Sequence, residues 1–293
     1  ANPCVFRRKL RGNVVVIIVV YVDDVLVASE TKRDEEQEIT DLRSCFPIKD
    51  LGEAGLYLGC HITRVRAEGT LKLNQHHYVR TLASKDQHTA SRSGSKTPVQ
   101  RRCLTDEAKT EEMRATPYRE VVGVLMWAAN MTRPDVAYAL HQLGEFNGDP
   151  ERARTGGRQK GHYNTCGTLM LAGGAISWFS RVQEMTAAAS SESKYVAMAE
   201  VVNELRFLRL VTPSIDDNIL IRKYIEEALK MATNRFHSRR IRHVDVKDHI
   251  VRDAVESGVV RIHYVKLEGQ HADVLTKSLD INIFETQARF LVS

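Results

Sequence analysis

Residues 14–28 read VVVIIVVYVDDVLVA: nine uncharged positions, the pair Asp23-Asp24, then four more apolar residues. Val and Ile dominate the run, and such β-branched side chains suit a strand buried on both faces. With two acids inside fifteen residues, the run is too short and too charged to span a membrane. It predicts a tight hairpin in which 14–20 pairs with 25–28 and Tyr21-Val22-Asp23-Asp24 makes the turn. Residues 30–45 place Ile39 and Leu42 three apart among Glu and Lys, the pattern of a surface helix, and Phe46-Pro47 ends it. Residues 56–64 alternate as a strand, Glu68-Gly69 supplies a turn, and 70–73 returns as its partner. Asn74 then caps a helix to Ala83 that carries Tyr78, Val79 and Leu82 on one side.

Beyond a polar linker at 85–116, residues 118–129 repeat apolar positions at three and four, as a buried helix does. Thr132 is placed to cap the next helix, with Pro134 in its first turn and Asp135 as the capping-box acid. Residues 148–160 (GDPERARTGGRQK) are polar, basic and glycine-bearing, and the domain boundary is expected there. The second half reads as a hairpin, 168–172 with 175–178 over Gly173-Gly174, a third strand at 184–189 and a long helix at 190–211. A strand at 218–224, helices at 226–233 and 249–257, a strand at 259–266 and a last helix opening at 271–279 follow. Strands first, then strands alternating with helices, is an α+β or α/β pattern.

Composition narrows the setting. A chain of 293 residues with 43% hydrophobic content has material for two domains, each with its own core. A net charge of +5 and a pI near 8.9 permit contact with phosphate backbones without requiring it. The five cysteines are odd in number and scattered, and no pair has metal-site or redox spacing. This fits a reduced intracellular protein, cytoplasmic or nuclear and not secreted. The first residues, ANPCVFRRKLRG, lack a cleavage site of signal-peptide type, and the start without Met suits an internal piece of a longer chain. The adjacent carboxylates of Asp23 and Asp24 fit an exposed acidic turn. Beside a dry hairpin they would instead repel each other and call for donors or a hard cation such as Mg²⁺.

Tyr21-Val22-Asp23-Asp24 after an apolar strand resembles the catalytic hairpin of reverse transcriptases. The segments that follow are similar to copia-type retrotransposon Pol polyproteins. They are Asp50-Leu51-Gly52-Glu53 with Leu58, Gly59 and Ile62, then Gly69, Thr70, Leu71, Leu73, Gln75 and Tyr78, then the run from Tyr118 through Thr132-Arg133-Pro134-Asp135. The resemblance implies part of a reverse transcriptase palm over 1–83 and thumb-like helices within 84–147. Asp23 and Asp24 would be catalytic ligands of Mg²⁺, Tyr21 and Val22 would lie near the primer, and Leu58 and Gly59 would grip its end. Arg133 and Asp135 are read as local capping residues, and His76 and His77 as exposed residues at a helix start.

Residues 171–178, 236–246 and 270–279 are similar to the ribonuclease H domain that follows the polymerase in these elements. That implies a degenerate ribonuclease H-like mixed sheet with flanking helices over 161–293, joined through the tether 148–160. Ribonuclease H chemistry uses acids holding two Mg²⁺ ions about 3.5–4 Å apart, and the resemblance asks for four of them. The opening acidic strand has no counterpart, Lys194 stands at the second position with Glu192 set to point elsewhere, and 223–226 offers no aspartate at the third. Asp273 is the remnant, while Asp245 and Asp248 fall in a segment used for packing. An ammonium in place of a carboxylate repels Mg²⁺. In the polymerase half, no Asp or Glu precedes Asp23.

The expected function is therefore a fragment of a retrotransposon reverse transcriptase and ribonuclease H, catalytically incomplete by itself. Its partners would be RNA, DNA or an RNA–DNA hybrid and the rest of a Pol polyprotein, with no membrane. One alternative is a polymerase completed by upstream Pol sequence. Another is a nucleic-acid-binding module without catalysis, resting on the basic runs Arg7, Arg8, Lys9 and Arg11, then Arg152, Arg154, Arg158 and Lys160, then Arg239, Arg240 and Arg242. A palm hairpin lacking upstream strands is expected to leave an apolar edge exposed.

Overall fold

The Val/Ile run forms the hairpin its pattern demands. Strand β2 (Val15–Tyr21) pairs antiparallel with β3 (Asp24–Ala28), with Val20 opposite Val25 and Tyr21 opposite Asp24. The computed structural model describes residues 4–9, 15–85, 117–148, 164–183, 190–212, 219–223, 245–266 and 269–292. The architecture is α+β, in two compact units: residues 1–73 with 203–216, and 74–202 with 217–293. The linker at 86–116, most of the tether and the expected elements at 184–189 and 226–233 lie outside the described residues.

In the first unit the free edge of β2 is covered. Strand β1 (Val5–Lys9) pairs antiparallel along it, Phe6 opposite Ile18 and Arg8 opposite Val16, giving a three-stranded sheet in the order β1-β2-β3. The expected exposed edge is thus covered on the β2 side, while β3 remains an edge of the sheet among the described residues. The covering strand carries Arg7, Arg8 and Lys9, and charge on an edge strand is a device that discourages further pairing. Helix α1 (Lys32–Cys45) packs across β2 and β3, capped by the Thr31 hydroxyl, which accepts from the Asp34 N–H at 3.2 Å. Val16 of β2 is wholly buried.

One side chain pins the helix to the edge strand. Arg8 Nη1 donates to Glu38 Oε2 at 2.9 Å and to Asp41 Oδ2 at 2.8 Å. Glu38 is the one buried residue of α1, so its charge needs this partner. The hydrogen bond from Arg8, then that from Gln37, holds the Asp41 carboxyl below its ordinary range, and Asp41 in turn raises Arg8.

The stretch expected as one strand at 56–64 is two. Strand β4 (Leu56–Tyr57) folds back on β5 (Cys60–Val65) through Leu58-Gly59, and β6 (Thr70–Asn74) completes the sheet in the order β4-β5-β6. The cause is local. Leu58 and Gly59 are both left-handed, φ 50 and 76, as a two-residue type I′ hairpin turn requires. The turn at Gly69 forms as expected, left-handed at φ 62 after a 3₁₀ segment, Arg66–Glu68.

The second unit is built on polar clasps around an apolar cluster. Helix α2 (His76–Lys85) sends the Tyr78 hydroxyl to the Val124 carbonyl of α3 (Tyr118–Met131) at 3.1 Å. Thr132 does not cap the following helix. Its hydroxyl donates to Gln75 Oε1 at 2.8 Å, while α4 (Pro134–Gly144) starts at Pro134 without a side-chain cap. Asp135, expected as the capping-box acid, instead takes both Nε and Nη2 of Arg133 at 2.8 Å. Strand β7 (Asn164–Leu171) and β8 (Gly174–Val182) form a longer hairpin than expected, turning at Ala172-Gly173 rather than Gly173-Gly174. Trp178 Nε1 of β8 donates to the Ala129 carbonyl of α3 at 2.8 Å.

Helix α5 (Ser190–Val211) buries Tyr195, Met198 and Val202. Strand β9 (Ile219–Lys223) pairs parallel with β10 (Val260–Tyr264), and α6 (Asp245–Glu256) precedes β10. Among the described residues these are two separate two-stranded sheets, not one mixed sheet. The last helix does not open at His271. Residues His271–Leu275 form a 3₁₀ turn, and α7 (Ile281–Val292) starts afresh, with Asp280 Oδ1 accepting from the Asn282 N–H at 3.0 Å. Ala129, Ala137, Leu140, Cys166, Leu275 and Leu291 are among the side chains of the core.

Two measurements test this packing. A Cβ on Gly167 of β7 would lie 2.5 Å from Val201 Cγ2 and 2.7 Å from the Phe179 ring, and Val201 is stiff at χ1. Gly167→Ala should lower unfolding stability by roughly 1–3 kcal/mol in urea denaturation, the usual cost of overpacking. An unchanged midpoint would show that β7 yields. For Asp41, a depressed folded pKa means its contribution is present above the ordinary aspartate value and lost as pH falls through the folded one. Asp41→Asn should therefore cost stability at neutral pH and flatten the acid loss that the parent shows below about pH 4. Parallel curves for the two proteins would remove Asp41 from the acid response.

Candidate functional site

The reversal between β2 and β3 uses two residues, Val22 and Asp23, and sets the acids at a hairpin tip. Of the two, only Val22 is left-handed, at φ 52, as in a type II′ turn, whose first central position ordinarily takes Gly. A β-branched residue in that conformation is strained. Val22 is also 83% exposed and Tyr21 49%, so burial does not repay the strain. The sequence-expected residues Tyr21, Val22, Asp23 and Asp24 are thus brought together on one exposed turn.

Asp23 and Asp24 are exposed. Among the described residues neither makes an ion pair or a side-chain hydrogen bond. Their exposure matches the acidic-turn reading of the sequence, in which no cation is needed to offset desolvation. In water two charges about 4 Å apart interact by only about 1 kcal/mol, so the turn stands without one. Their oxygens suit a hard divalent cation in kind, and Mg²⁺ is commonly held by one or two carboxylates with phosphate oxygens completing the shell. They fall short in number. Among the described residues no three His, Cys, Asp or Glu converge on one point.

Leu58 and Gly59 form the other left-handed tip, between β4 and β5. The residue before them went unremarked in the sequence. Tyr57 has its hydroxyl buried without a hydrogen-bond partner among the described residues. Burial first, then the charges of Asp24, Cys4 and Tyr21, push its pKa up. The base of the Leu58-Gly59 hairpin therefore lies within the electrostatic field of the acidic tip. An aromatic within an apolar strand gave no sequence signal for this. The Asp50–Glu53 segment is structural: Asp50 Oδ1 accepts the Gly52 N–H at 2.8 Å, Gly52 is left-handed at φ 77, and Glu53 pairs with Arg66 at 2.9 Å.

In the second unit, Asp273 is buried in the 3₁₀ turn, and its Oδ2 lies 2.7 Å from Lys277 Nζ. Lys194 is half-buried on α5, beside the buried Tyr195. His76 and His77 are exposed at the start of α2, as expected. Of the basic runs, Arg7 and Lys9 are exposed, Arg8 is committed to Glu38 and Asp41, and the remaining members lie outside the described residues.

The reverse transcriptase (RNA-dependent DNA polymerase) family matches residues 3–101, the span that carries both hairpin tips. Over 97% of its length the chain is 26% identical to the retrovirus-related Pol polyprotein from transposon TNT 1-94 of Nicotiana tabacum. Over 95% it is 25% identical to that from transposon RE1 of Arabidopsis thaliana, and 24% identical to that from RE2 of the same plant. The chain is similar to copia-type transposon Pol polyproteins from end to end. It spans about a quarter of the length of these relatives, 25% of the first and 22% of the others. No solved structure matches it. In this Pol-like chain the matched family reaches neither Lys194 nor Asp273, which lie well beyond residue 101. Among the described residues no helix is long and apolar enough to cross a membrane.

The strain at Val22 is measurable. A positive φ costs an ordinary L-residue roughly 1–2 kcal/mol, whereas Gly adopts it freely. Val22→Gly should raise the urea midpoint, adding about 1 kcal/mol of stability, since so exposed a side chain loses little packing. A lowered midpoint would show that Val22 is held by contacts, not merely tolerated.

Proposed function

We propose that this chain is a segment of a copia-type retrotransposon Pol polyprotein that engages RNA, DNA or their hybrid and, as these 293 residues alone, neither extends a primer nor cleaves a hybrid. Residues 1–83 would be the C-terminal part of a reverse transcriptase palm, 84–147 its thumb-like continuation, and 161–293 a degenerate ribonuclease H-like domain beyond the tether 148–160. The observation that carries the reading is the hairpin tip. Tyr21, Val22, Asp23 and Asp24 stand exposed on a two-residue reversal, where a nucleic-acid end could reach them, and no third acid joins them among the described residues.

On this reading Asp23 and Asp24 would hold Mg²⁺, which when bound stabilises negative charge on phosphate oxygens. Tyr21 and Val22 would lie against the primer, and Leu58-Gly59 would seat its end, with Tyr57 at the base of that hairpin. Positioning and preorganised charge supply most of the acceleration in such transfers. Two exposed carboxylates from one turn provide little of either. Exposed Arg7 and Lys9 on β1 would add a modest attraction to phosphates.

Primer extension on an RNA template with Mg²⁺ or Mn²⁺ should give no product. Binding to a labelled RNA–DNA hybrid should be measurable at low salt and weaken steeply as salt rises. Extension that is lost on Asp23→Asn would refute the incompleteness. Absence of hybrid binding at low salt would refute the nucleic-acid role.

A further inference from the structure

We infer that Lys277 is the resident cation of Asp273, and that the pair is a structural lock which takes no metal ion. The inference deepens the proposed lack of hybrid cleavage, but its geometry belongs to the second unit alone and does not involve the Tyr21–Asp24 tip.

Asp273 is 5% exposed, and a carboxylate removed from water needs an opposite charge at contact distance. Lys277, four residues on, supplies it at 2.7 Å, with its stem reaching in from a half-exposed position. The backbone around the pair is fastened on both sides. The Ala272 carbonyl accepts from Cys166 Sγ at 3.3 Å, that of Leu275 from Ser180 Oγ at 2.7 Å, and that of Thr276 from Asn164 Nδ2 at 3.2 Å. The Asp273 carbonyl itself takes the Thr276 N–H and hydroxyl at 3.0 Å and the Lys277 N–H at 3.2 Å. Strands β7 and β8 thus grip the turn by its carbonyls, and the ion pair closes it from within.

This arrangement disagrees with a metal-ligand role for Asp273. Mg²⁺ sits about 2.0–2.1 Å from its oxygens and demands about six of them. A cation on Oδ2 would meet the ammonium already touching that oxygen and be repelled by its charge. No cluster of three or more acids, His or Cys stands ready among the described residues to complete a shell.

The test uses the full chain in an Asp23→Asn/Asp24→Asn background, so that cation binding at the hairpin tip cannot be mistaken for binding here. Thermal unfolding is recorded in EDTA and in millimolar MgCl₂ or MnCl₂ for the parent, Asp273→Asn, Lys277→Gln and the double variant. Lys277→Gln should lower Tm by on the order of 5 °C or more, since it leaves the buried Asp273 charge unmatched, and Asp273→Asn should lower it by a smaller but measurable amount, since the half-exposed Lys277 can turn to solvent. The double variant should lose less than the sum of the singles, and the parent should be unmoved by either cation. Additive losses, an unchanged Tm for Asp273→Asn, or a cation-dependent rise that Asp273→Asn abolishes would each overturn the inference. Should the single variants fail to fold, Mn²⁺ titration of the parent followed by amide NMR decides. Paramagnetic broadening centred on 272–277 refutes the lock, and its absence there upholds it.

Discussion

Reversing a chain in two residues fixes much of this molecule. Such a turn matches strand twist only when its first residue, or both, adopts the left-handed conformation. Three hairpins here obey that constraint, at Val22-Asp23, Leu58-Gly59 and Ala172-Gly173. In the latter two a glycine takes one of the left-handed positions, φ 76 and 88, and relieves it. At the first, Val22 bears the left-handed position without one. The register that follows, Tyr21 opposite Asp24, is what puts a strained side chain and two carboxylates at one tip. The candidate site is a consequence of how the strands must be joined.

Several carboxylates elsewhere among the described residues are paired with cations. Glu38 and Asp41 share Arg8, Glu53 has Arg66, Asp135 has Arg133, Glu200 has Arg181 and Asp273 has Lys277. Two of these acids, Glu38 and Asp273, are buried, where an unpaired charge is costly enough to unfold a marginal domain. Asp23 and Asp24 differ from this group in lacking any such partner among the described residues, and their exposure is what makes that affordable. An acid pair that contributes nothing to packing and sits on a strained turn has no stabilising reason for its place.

How much of this could be read from the residues follows from the strength of each local signal. The β2–β3 hairpin was legible because a β-branched run interrupted by two acids admits few other shapes. Strand β1 was not, because VFRRK offers two apolar residues against three cations, and its pairing is settled by the edge it covers. The 56–64 stretch misled because its alternation continues through Leu58-Gly59, and only the left-handed backbone there shows the reversal. Thr132 and Asp135 satisfied a capping pattern in sequence, but tertiary partners, Gln75 for one and Arg133 for the other, outbid the local roles. The last helix starts ten residues later than its pattern suggests because His271–Leu275 is helical in composition, while its carbonyls are claimed by side chains of β7 and β8. Asp273 was legible as a position and not as a role, since its neutralising partner four residues on becomes decisive only once the carboxylate is seen to be buried with the ammonium touching it.

The two halves of the resemblance thus have different physical standing. At the hairpin tip, the acids are unpaired and the turn is strained, which is how a site looks when its geometry is kept for something other than the fold. At the 3₁₀ turn, the acid has been absorbed into the fold. Its charge is cancelled internally, its backbone is clasped from β7 and β8, and its removal would be felt as lost stability. A buried carboxylate has to be neutralised wherever it stands, and a lysine four residues on does so here without any change in backbone course. The fold by itself is reason enough for this pair to stand where it does.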